Sequence, residues 1–292
     1  MSTLFSILIA NYNRAQYIKE CFNSVLNQTY SNWEVIIVDD CSTDDSINII
    51  KQYEKDSRFK LYKNEKNMGC GYTKKRCVDL ANGDVCGFLD SDDMLEKNAI
   101  SLMVEAHDKY PEVSIIGSRQ ASCDSNMKIY NVVTSLKESM KTFKSQLDNP
   151  FTISHFVSFK NSMYKKTEGI NPFLKRAVDQ DLYYKLEEQG KTAFIDKVLY
   201  FYRHSEASIS LFDNVYKADA WHLIVIFETC KRRGLKFDDY CYLMKKTKSR
   251  KEKLINAIFK PYQDVKEKLK AKHNIKLYKK ETESNLADIL LI

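Results

Sequence analysis

Short apolar runs alternate with segments whose apolar residues recur at helical spacing over the first 120 residues of the chain. This alternation predicts βαβ units, in which right-handed helical crossovers join parallel strands. The predicted strands cover residues 5–10, 34–38, 59–62, 85–89 and 113–118. The predicted helices cover residues 15–28, a segment that begins after 42–44, and residues 72–81 and 96–110. The pattern therefore indicates an α/β fold in which helices flank a mostly parallel sheet.

After residue 118 the sequence has a middle part with weak periodicity and a C-terminal part with helical periodicity. Strands are predicted at 153–159 and 192–202 with a helix at 181–189 between them, whereas residues 119–152 carry little periodicity. From residue 214 onward the pattern is helical, with predicted helices at 214–233, at 238–259 and from residue 261. We therefore expect an α/β domain over residues 1–210 and a helical C-terminal extension over 211–292.

The net charge of +7 belongs to the predicted extension. Residues 211–292 contain 19 Lys and Arg against 11 Asp and Glu, while residues 1–210 contain 27 against 28. A nearly neutral main domain argues against nucleic-acid binding. The basic extension is expected to be solvated, to contact an anionic membrane surface, or to form a homodimer contact.

The cysteine content and the absence of long apolar runs exclude several classes of protein. Eight Cys occur without a CxxC pair, which argues against a zinc ribbon or a thioredoxin-like site. The sequence predicts neither a signal peptide nor a membrane-spanning run, so a cytoplasmic protein with reduced thiols is expected.

Acidic clusters follow two of the predicted strands. Asp90, Asp92 and Asp93 end the strand at 85–89, and DDCSTDD at 39–45 ends the strand at 34–38. Acidic caps of two separate helices would explain each cluster but not their coincidence. Ligands of open α/β sheets bind at the carboxyl ends of the strands, and a divalent cation there would neutralise the acids and a diphosphate. Neither GxGxxG nor a Walker A sequence is present, so we expect a nucleotide-diphosphate site that depends on a metal.

Five spaced motifs then carry a resemblance over about 200 residues. They read ANYNR, VDDCSTDDS, NEKNMG, ANGDVCGFLDSDD and VDQDLYYKLEEQG, in that order. In these motifs the chain resembles the family-2 inverting glycosyltransferases of bacteria. The resemblance implies a nucleotide-diphospho-sugar transferase fold of the A type, with residues 1–210 as the nucleotide-sugar-binding and catalytic domain.

The resemblance also implies which residues bind the donor. Ala10 and Tyr12 would lie against the base, and Asp40 matches the acid that hydrogen-bonds uracil. Asn67 and Gly69 match the loop after the third strand. Further donor contacts are implied for three residues. Lys74 keeps a cation where the family often has Arg. Asp90 would lie near the ribose, and Arg203 would lie near the diphosphate.

Metal binding and catalysis are implied for three further acids. Asp92 matches the metal ligand of the family's acid-any-acid motif, and Asp93 shares that assignment, with Mn²⁺ or Mg²⁺ as the ion. Asp179 matches the general base, although Val178 replaces the Glu that usually precedes it. An Asp with a pKa near roughly 3.9 is ionised at neutral pH and can accept the proton of an acceptor hydroxyl.

The resemblance implies a sugar transfer from a UDP-sugar to a glycan or lipid-linked acceptor of a bacterial surface polysaccharide. The acceptor is expected to bind through residues 119–170, with His155 as a buried core residue or an acceptor contact. Two alternatives stay open, a sugar nucleotidyltransferase and a non-catalytic nucleotide-sugar-binding relative. A nucleotidyltransferase would need a glycine-rich loop directly after the first strand, where this chain has NYNR. A non-catalytic relative is disfavoured because the expected acids are all present.

Overall fold

The computed structural model describes residues 2–133, 143–148, 153, 155–204, 215–240, 270–276, 278 and 289–291. Within these ranges ten strands form one sheet: β1 Phe5–Asn11, β2 Trp33–Asp39, β3 Phe59–Lys63, β4 Val85–Phe88, β5 Met94–Leu95, β6 Val113–Cys123, β7 Ile129–Val132, β8 Val157–Lys160, β9 Lys191–Arg203 and β10 Ile289–Leu291. The α-helices of these ranges include α1 Ala15–Leu26, α2 Ser46–Lys51, α3 Cys70–Asp79, α4 Ala99–Lys109, α5 Asn161–Tyr164, α6 Val178–Glu187 and α7 Val215–Arg233. A 3₁₀ turn follows at Phe237–Asp239.

The strand order is β10-β9-β6-β8-β4-β1-β2-β3, with β5 paired to β9 and β7 paired to β6. Strands β3, β2, β1 and β4 are parallel, as the alternation predicted. Beyond β4 the sheet is mixed, because β8 runs antiparallel to both β4 and β6. The α/β fold class is confirmed. Of the antiparallel strands, β8 overlaps the predicted strand at 153–159, whereas β7 lies in the weakly patterned residues 119–152.

Both faces of β1 and β2 are buried, which explains their largely apolar sequences. Along β1, Ile7 and Ile9 face the core formed with α1, whereas Leu8 faces the core formed with α3. Strand β1 lies between β2 and β4, so the carboxyl ends of these three strands meet at one edge of the sheet. The acidic clusters after β2 and β4 are thereby brought to the same edge.

Several boundaries differ from the sequence prediction. Strand β6 extends to Cys123, because its outer half pairs with both β7 and β9. Helix α6 begins at Val178 instead of residue 181, so Asp181 lies in its first turn, where it pairs with Lys185 at 2.8 Å. The predicted helix at 238–259 contains the 3₁₀ turn at its start, and its remainder from residue 241 lies outside the described residues.

Part of the predicted extension packs into the main core. Val225, Ile226 and Cys230 of α7 are buried in the cluster that also contains α6 residues. The hydroxyl of Tyr184 on α6 and Nε2 of His222 on α7 are 2.8 Å apart. Strand β10 adds antiparallel to β9. The domain boundary at 210 stays a prediction, but these two segments share the core or the sheet of the preceding residues. Among the described helices, none is both long and apolar enough to cross a membrane.

We expect Ile226→Ala to lower the free energy of unfolding by about 2–4 kcal/mol, because it removes a fully buried side chain and leaves a cavity. Ile224→Ala on the same helix is the matched control, since Ile224 is exposed, and its effect should stay within about 0.5 kcal/mol. Denaturant unfolding of both variants measures the difference. Equal losses would contradict the packing of α7 described here.

Candidate active site

A cleft of about 700 Å³ opens at the carboxyl edge of the parallel strands. Its lining includes ten of the eleven residues that the sequence analysis assigned to the site: Ala10, Tyr12, Asp40, Asn67, Gly69, Lys74, Asp90, Asp92, Asp179 and Arg203. These residues come from six separate segments of the chain, which the fold brings together at one cleft. Asp93 is the residue that does not line the cleft.

Asp40 organises one end of the cleft. Its Oδ1 accepts hydrogen bonds from Asn64 Nδ2 and the Met68 amide at 2.7 Å each, and its Oδ2 accepts one from the Gly69 amide at 2.9 Å. Gly69 has a φ of +88°, a backbone conformation that favours glycine. The carboxylate thus fixes the loop that carries Asn67 and Gly69 against the end of β2.

Tyr12 lies at the same end of the cleft, just after β1. Its side chain is 43% exposed although it lines the cleft. An exposed aromatic ring next to a cleft offers a stacking surface for a planar ligand group. The sequence prediction of a base contact is therefore compatible with the position of Tyr12.

Lys74 connects two acids across the cleft. Its Nζ lies 2.8 Å from Asp179 Oδ1 and 3.4 Å from Asp90 Oδ1, and its side chain is almost completely buried. Burial lowers the pKa of Lys74, but Asp179 and Asp90 outweigh it and raise the pKa well above its ordinary value. Burial also raises the pKa of Asp90, yet Lys74 and His155 hold it below its ordinary value. A charged lysine therefore bridges the strand end of β4 and the start of α6.

Asp92 lies in the acidic turn and lines the cleft beside Arg14. Arg14 Nε lies 2.9 Å from Asp92 Oδ2. Burial and then repulsion by Asp90 nevertheless raise the pKa of Asp92 above its ordinary value, although Arg14 opposes them. An additional positive charge beside Asp92 would relieve this repulsion. The role of Arg14 was missed in the sequence analysis, and its position directly after β1 in the NYNR segment was the available signal.

Asp93 has a different environment from Asp92. It is only 1% exposed, and its oxygens accept hydrogen bonds from the Tyr200 hydroxyl and the Arg203 amide, both at 2.7 Å. Burial, followed by repulsion from Asp92 and Asp90, raises the pKa of Asp93 well above its ordinary value. These contacts direct Asp93 towards β9 and away from the cleft.

Arg203 lies at the end of β9 and braces the acidic turn. Its Nε donates a hydrogen bond to the Asp92 carbonyl at 2.6 Å, and its terminal nitrogens contact the Ser125 carbonyl and the Glu20 carboxylate. The guanidinium also lies over the ring of Tyr17 at 4.3 Å. Arg203 borders the cleft, but its donors are directed to protein groups.

His155 is the residue of the expected acceptor region, 119–170, that lines the cleft among those described. Its ring stacks on Tyr200 and Tyr202, with centroids 5.0 and 5.6 Å apart. Burial lowers the pKa of His155 below its ordinary value against the opposing charges of Asp90 and Asp179. His204, just beyond β9, packs against the edges of Tyr130 and Tyr202 and is not part of the lining.

One part of the cleft lining was missed by the sequence analysis. It is formed by the loop before α6, residues 172–177, which leads directly to Asp179. The Leu174 carbonyl of this loop accepts a hydrogen bond from the Gly71 amide at 3.0 Å. A Cβ on Gly71 would lie 2.6 Å from the Leu174 carbonyl oxygen and 2.7 Å from that of Asn171. The loop therefore lies so close to α3 that only glycine fits at position 71.

We expect Gly71→Ala to lower the free energy of unfolding by about 1–3 kcal/mol, because backbone atoms would have to move to admit the methyl group. The neighbouring Tyr72→Ala is the control, since Tyr72 is partly exposed and lies outside the cleft lining. Denaturant unfolding of both variants measures the effect. A Gly71→Ala protein as stable as the wild type would contradict the close approach.

Among the described residues, no three His, Cys, Asp or Glu side chains are grouped so that they could hold a metal ion by themselves. Asp92 fits a cation by charge and by its position in the lining. Mg²⁺ and similar hard ions are commonly bound through one or two carboxylates together with substrate phosphates. An ion at Asp92 would therefore need oxygen ligands from a bound diphosphate.

The parallel strand order and the acidic cleft at its carboxyl edge define the A-type fold of nucleotide-diphospho-sugar transferases. The chain matches the family model "Glycosyl transferase family 2" over residues 6–167, more than half of its length, and it belongs to that family. It is 32% identical over 260 residues to a chondroitin synthase of Escherichia coli, which covers 87% of this chain. The chain spans 37% of the length of that synthase.

Two solved structures have the same fold at lower sequence identity to this chain. S. aureus TarS 1–349 in complex with UDP-GlcNAc superposes with a TM-score of 0.64 at 23% identity, over 77% of this chain and 66% of TarS. The mannosyltransferase PcManGT of Pyrobaculum calidifontis, in complex with GDP-Man and Mn²⁺, gives a TM-score of 0.56 at 15% identity, over 76% and 60% of the two chains. Both support the fold assignment.

Proposed function

We propose that this chain transfers a sugar from a nucleotide-diphospho-sugar to a hydroxyl group of a glycan or lipid-linked acceptor, with inversion at the anomeric carbon. A UDP-sugar is the expected donor, and a bacterial surface polysaccharide is the expected product. The observation that carries the proposal is the pairing of Asp179 and Asp90 with one buried ammonium, Lys74, inside the cleft. The likeness to a chondroitin synthase and to TarS bound to UDP-GlcNAc supports it.

Asp179 is the proposed general base. Its carboxylate accepts the proton of the acceptor hydroxyl while that oxygen attacks the anomeric carbon. The bond from the anomeric carbon to the phosphate oxygen breaks, and its electron pair leaves with the nucleoside diphosphate. Attack and departure occur on opposite faces of the sugar, so the configuration inverts. Lys74 keeps Asp179 aligned in the absence of an acceptor.

The other end of the cleft is proposed to bind the nucleoside. Tyr12 and Ala10 would contact the base, and Asp40 would act there both directly and through the loop of Asn67 and Gly69 that it holds. Asp90 would approach the ribose. Arg203 would act indirectly, because its guanidinium holds the acidic turn in position.

Mn²⁺ or Mg²⁺ is the proposed cofactor, with Asp92 as its protein ligand. When bound, the ion would neutralise charge that builds up on the leaving diphosphate. Asp93 is not retained as a ligand in this proposal, because both of its oxygens accept hydrogen bonds from β9.

The basic C-terminal segment is proposed to act outside the chemistry. Contact with the inner face of a membrane, where lipid-linked acceptors would be met, and a homodimer contact both remain compatible with its charge. A cytoplasmic location, free or peripheral, follows from the proposed use of nucleotide-sugars.

Calorimetric titration with UDP, followed by a turnover assay with a panel of UDP-sugars, tests the proposal. We expect UDP to bind and one UDP-sugar to be hydrolysed slowly without an acceptor and consumed faster with one. Binding without turnover of any nucleotide-sugar would favour the non-catalytic alternative. Absence of binding by UDP and by GDP would overturn the proposed function.

A further inference from the structure

Phe173 is the most exposed large apolar side chain of the described residues, at 84%, and it lines the mouth of the cleft. An exposed phenylalanine side chain contributes no hydrophobic stabilisation to the fold, because its apolar surface remains hydrated. Single exposed apolar residues are common on protein surfaces. Phe173 differs because it stands in the cleft wall six residues before the proposed base, Asp179.

The loop around Phe173 is held from both sides. The next side chain, Leu174, is buried in the core, and the Leu174 carbonyl accepts the hydrogen bond from Gly71. The Phe173 amide donates to Asn171 Oδ1 at 3.0 Å, and the Asn171 amide donates to Asp181 Oδ2 at 3.3 Å. The backbone that carries the Phe173 ring at the cleft is thus held in place. Rings presented on a fixed backbone lose little conformational entropy when a ligand binds.

The segment that contains this loop is basic, unlike the rest of the main domain. Residues 160–176 contain five Lys and Arg against one Glu, whereas residues 1–210 as a whole are nearly neutral. Lys175 is exposed and Arg176 is half-buried, and both line the cleft beside Phe173. The part of the lining that leads into α6 therefore combines an aromatic ring with cations, whereas the turn after β4 contributes the acids Asp90 and Asp92.

We propose that Phe173 and Lys175 form the acceptor subsite, and that the acceptor is a glycan whose terminal sugar carries a carboxylate, that is, a hexuronate. The Phe173 ring would pack on the apolar face of the pyranose, and the Lys175 ammonium would pair with the carboxylate, with Arg176 adding positive charge. This inference rests on the proposed function, because it uses Asp179 as the base that the acceptor hydroxyl must reach.

The test uses the full chain with UDP and Mg²⁺ and three oligosaccharide probes. The first is a tetrasaccharide with a non-reducing terminal glucuronate, the second is the same compound with that carboxyl reduced to a hydroxymethyl group, and the third carries a terminal phosphate instead. Dissociation constants come from saturation-transfer NMR titrations. We expect the glucuronate probe to bind about fivefold more tightly than the carboxyl-reduced one, as one exposed charge-assisted contact allows.

Two variants and two matched controls locate the effect. Phe173→Ala should weaken binding of both the glucuronate and the reduced probe by about tenfold, because the ring contacts the sugar face. Lys175→Gln should remove the preference for the carboxylate. Phe227→Ala on α7 and Lys166→Gln in the same basic segment should change neither, since both residues lie outside the cleft lining.

UDP affinity is measured for every variant and separates this inference from the proposed function. Unchanged UDP binding together with altered probe binding supports the acceptor subsite. A Lys175→Gln variant that weakens UDP instead would overturn it, because the cation would then serve the donor. Tighter binding of the phosphate probe than of the glucuronate probe, or equal binding of the charged and reduced probes, would overturn the hexuronate assignment. Loss of UDP binding by the wild type would be a failure of the proposed function.

Discussion

Asp179→Asn should lower kcat for sugar transfer by a factor of about 10³, within the range that general acid–base catalysis contributes. Asparagine has nearly the same shape as aspartate but cannot accept the proton of the acceptor hydroxyl at neutral pH. The Lys74 ammonium keeps Asp90 as a partner at 3.4 Å, so the variant does not leave an unpaired buried cation. Stability and UDP affinity should therefore change much less than the rate.

The measurement compares kcat for transfer with the dissociation constant of UDP in the same preparation. Asp79→Asn is the control, because Asp79 forms an exposed pair with Lys75 on α3 and lies outside the cleft lining. A pure loss of the base lowers kcat and leaves UDP binding within about twofold. An Asp179→Asn enzyme with wild-type kcat would assign the base to another group and remove the central role of Asp179.

The sequence predicted the parallel half of the sheet well because both faces of its central strands, β1 and β2, are buried. Continuous apolar runs such as those of β1 and β2 identify such strands without knowledge of their neighbours. The antiparallel half was predicted less well. Strand β8 is short and its pairing with β4 and β6 depends on residues more than 40 positions away, which no local periodicity encodes.

The candidate site was predictable where a motif coincides with a strand end. Asp40, Asp90 and Asp92 follow β2 and β4 directly, so parallel pairing alone brings them to one edge. The distinct environments of Asp92 and Asp93 could not be predicted, because they depend on Tyr200 and Arg203 of β9, more than 100 residues further along the chain. The loop at 172–177 was missed since its position is set by contact with Gly71.

Arg203 lines the cleft, but its contacts could not be predicted from the sequence. The sequence analysis assigned it to the donor site, and it does border the cleft. Its guanidinium, however, bridges the acidic turn, the Ser125 carbonyl and Glu20. A planar cation with several donors is well suited to hold three segments together, and sequence alone does not reveal which partners it has.

Asp92→Asn is expected to abolish the effect of a divalent metal on UDP binding. For the wild type, Mn²⁺ should tighten UDP binding by about tenfold or more, equivalent to about 1.4 kcal/mol, because the ion would bridge the Asp92 carboxylate and the diphosphate. Asparagine keeps the size of the side chain but removes its charge, so the ion loses its anionic protein ligand. Calorimetric titrations of each protein with UDP, in the presence and in the absence of Mn²⁺, measure the effect of the metal on UDP binding.

Asp93→Asn is the matched comparison, because it makes the same replacement at the neighbouring acid. Asp93 contacts Tyr200 and the Arg203 amide, so its replacement should cost about 1–3 kcal/mol of unfolding free energy through a disturbed buried hydrogen bond and leave the metal effect intact. The opposite outcome, a metal effect lost in Asp93→Asn and kept in Asp92→Asn, would exchange the two assignments. A wild-type protein that binds UDP equally with and without Mn²⁺ would contradict a metal-assisted transfer, and charge on the leaving diphosphate would then have to be neutralised by cations of the chain such as Arg14 and Lys74.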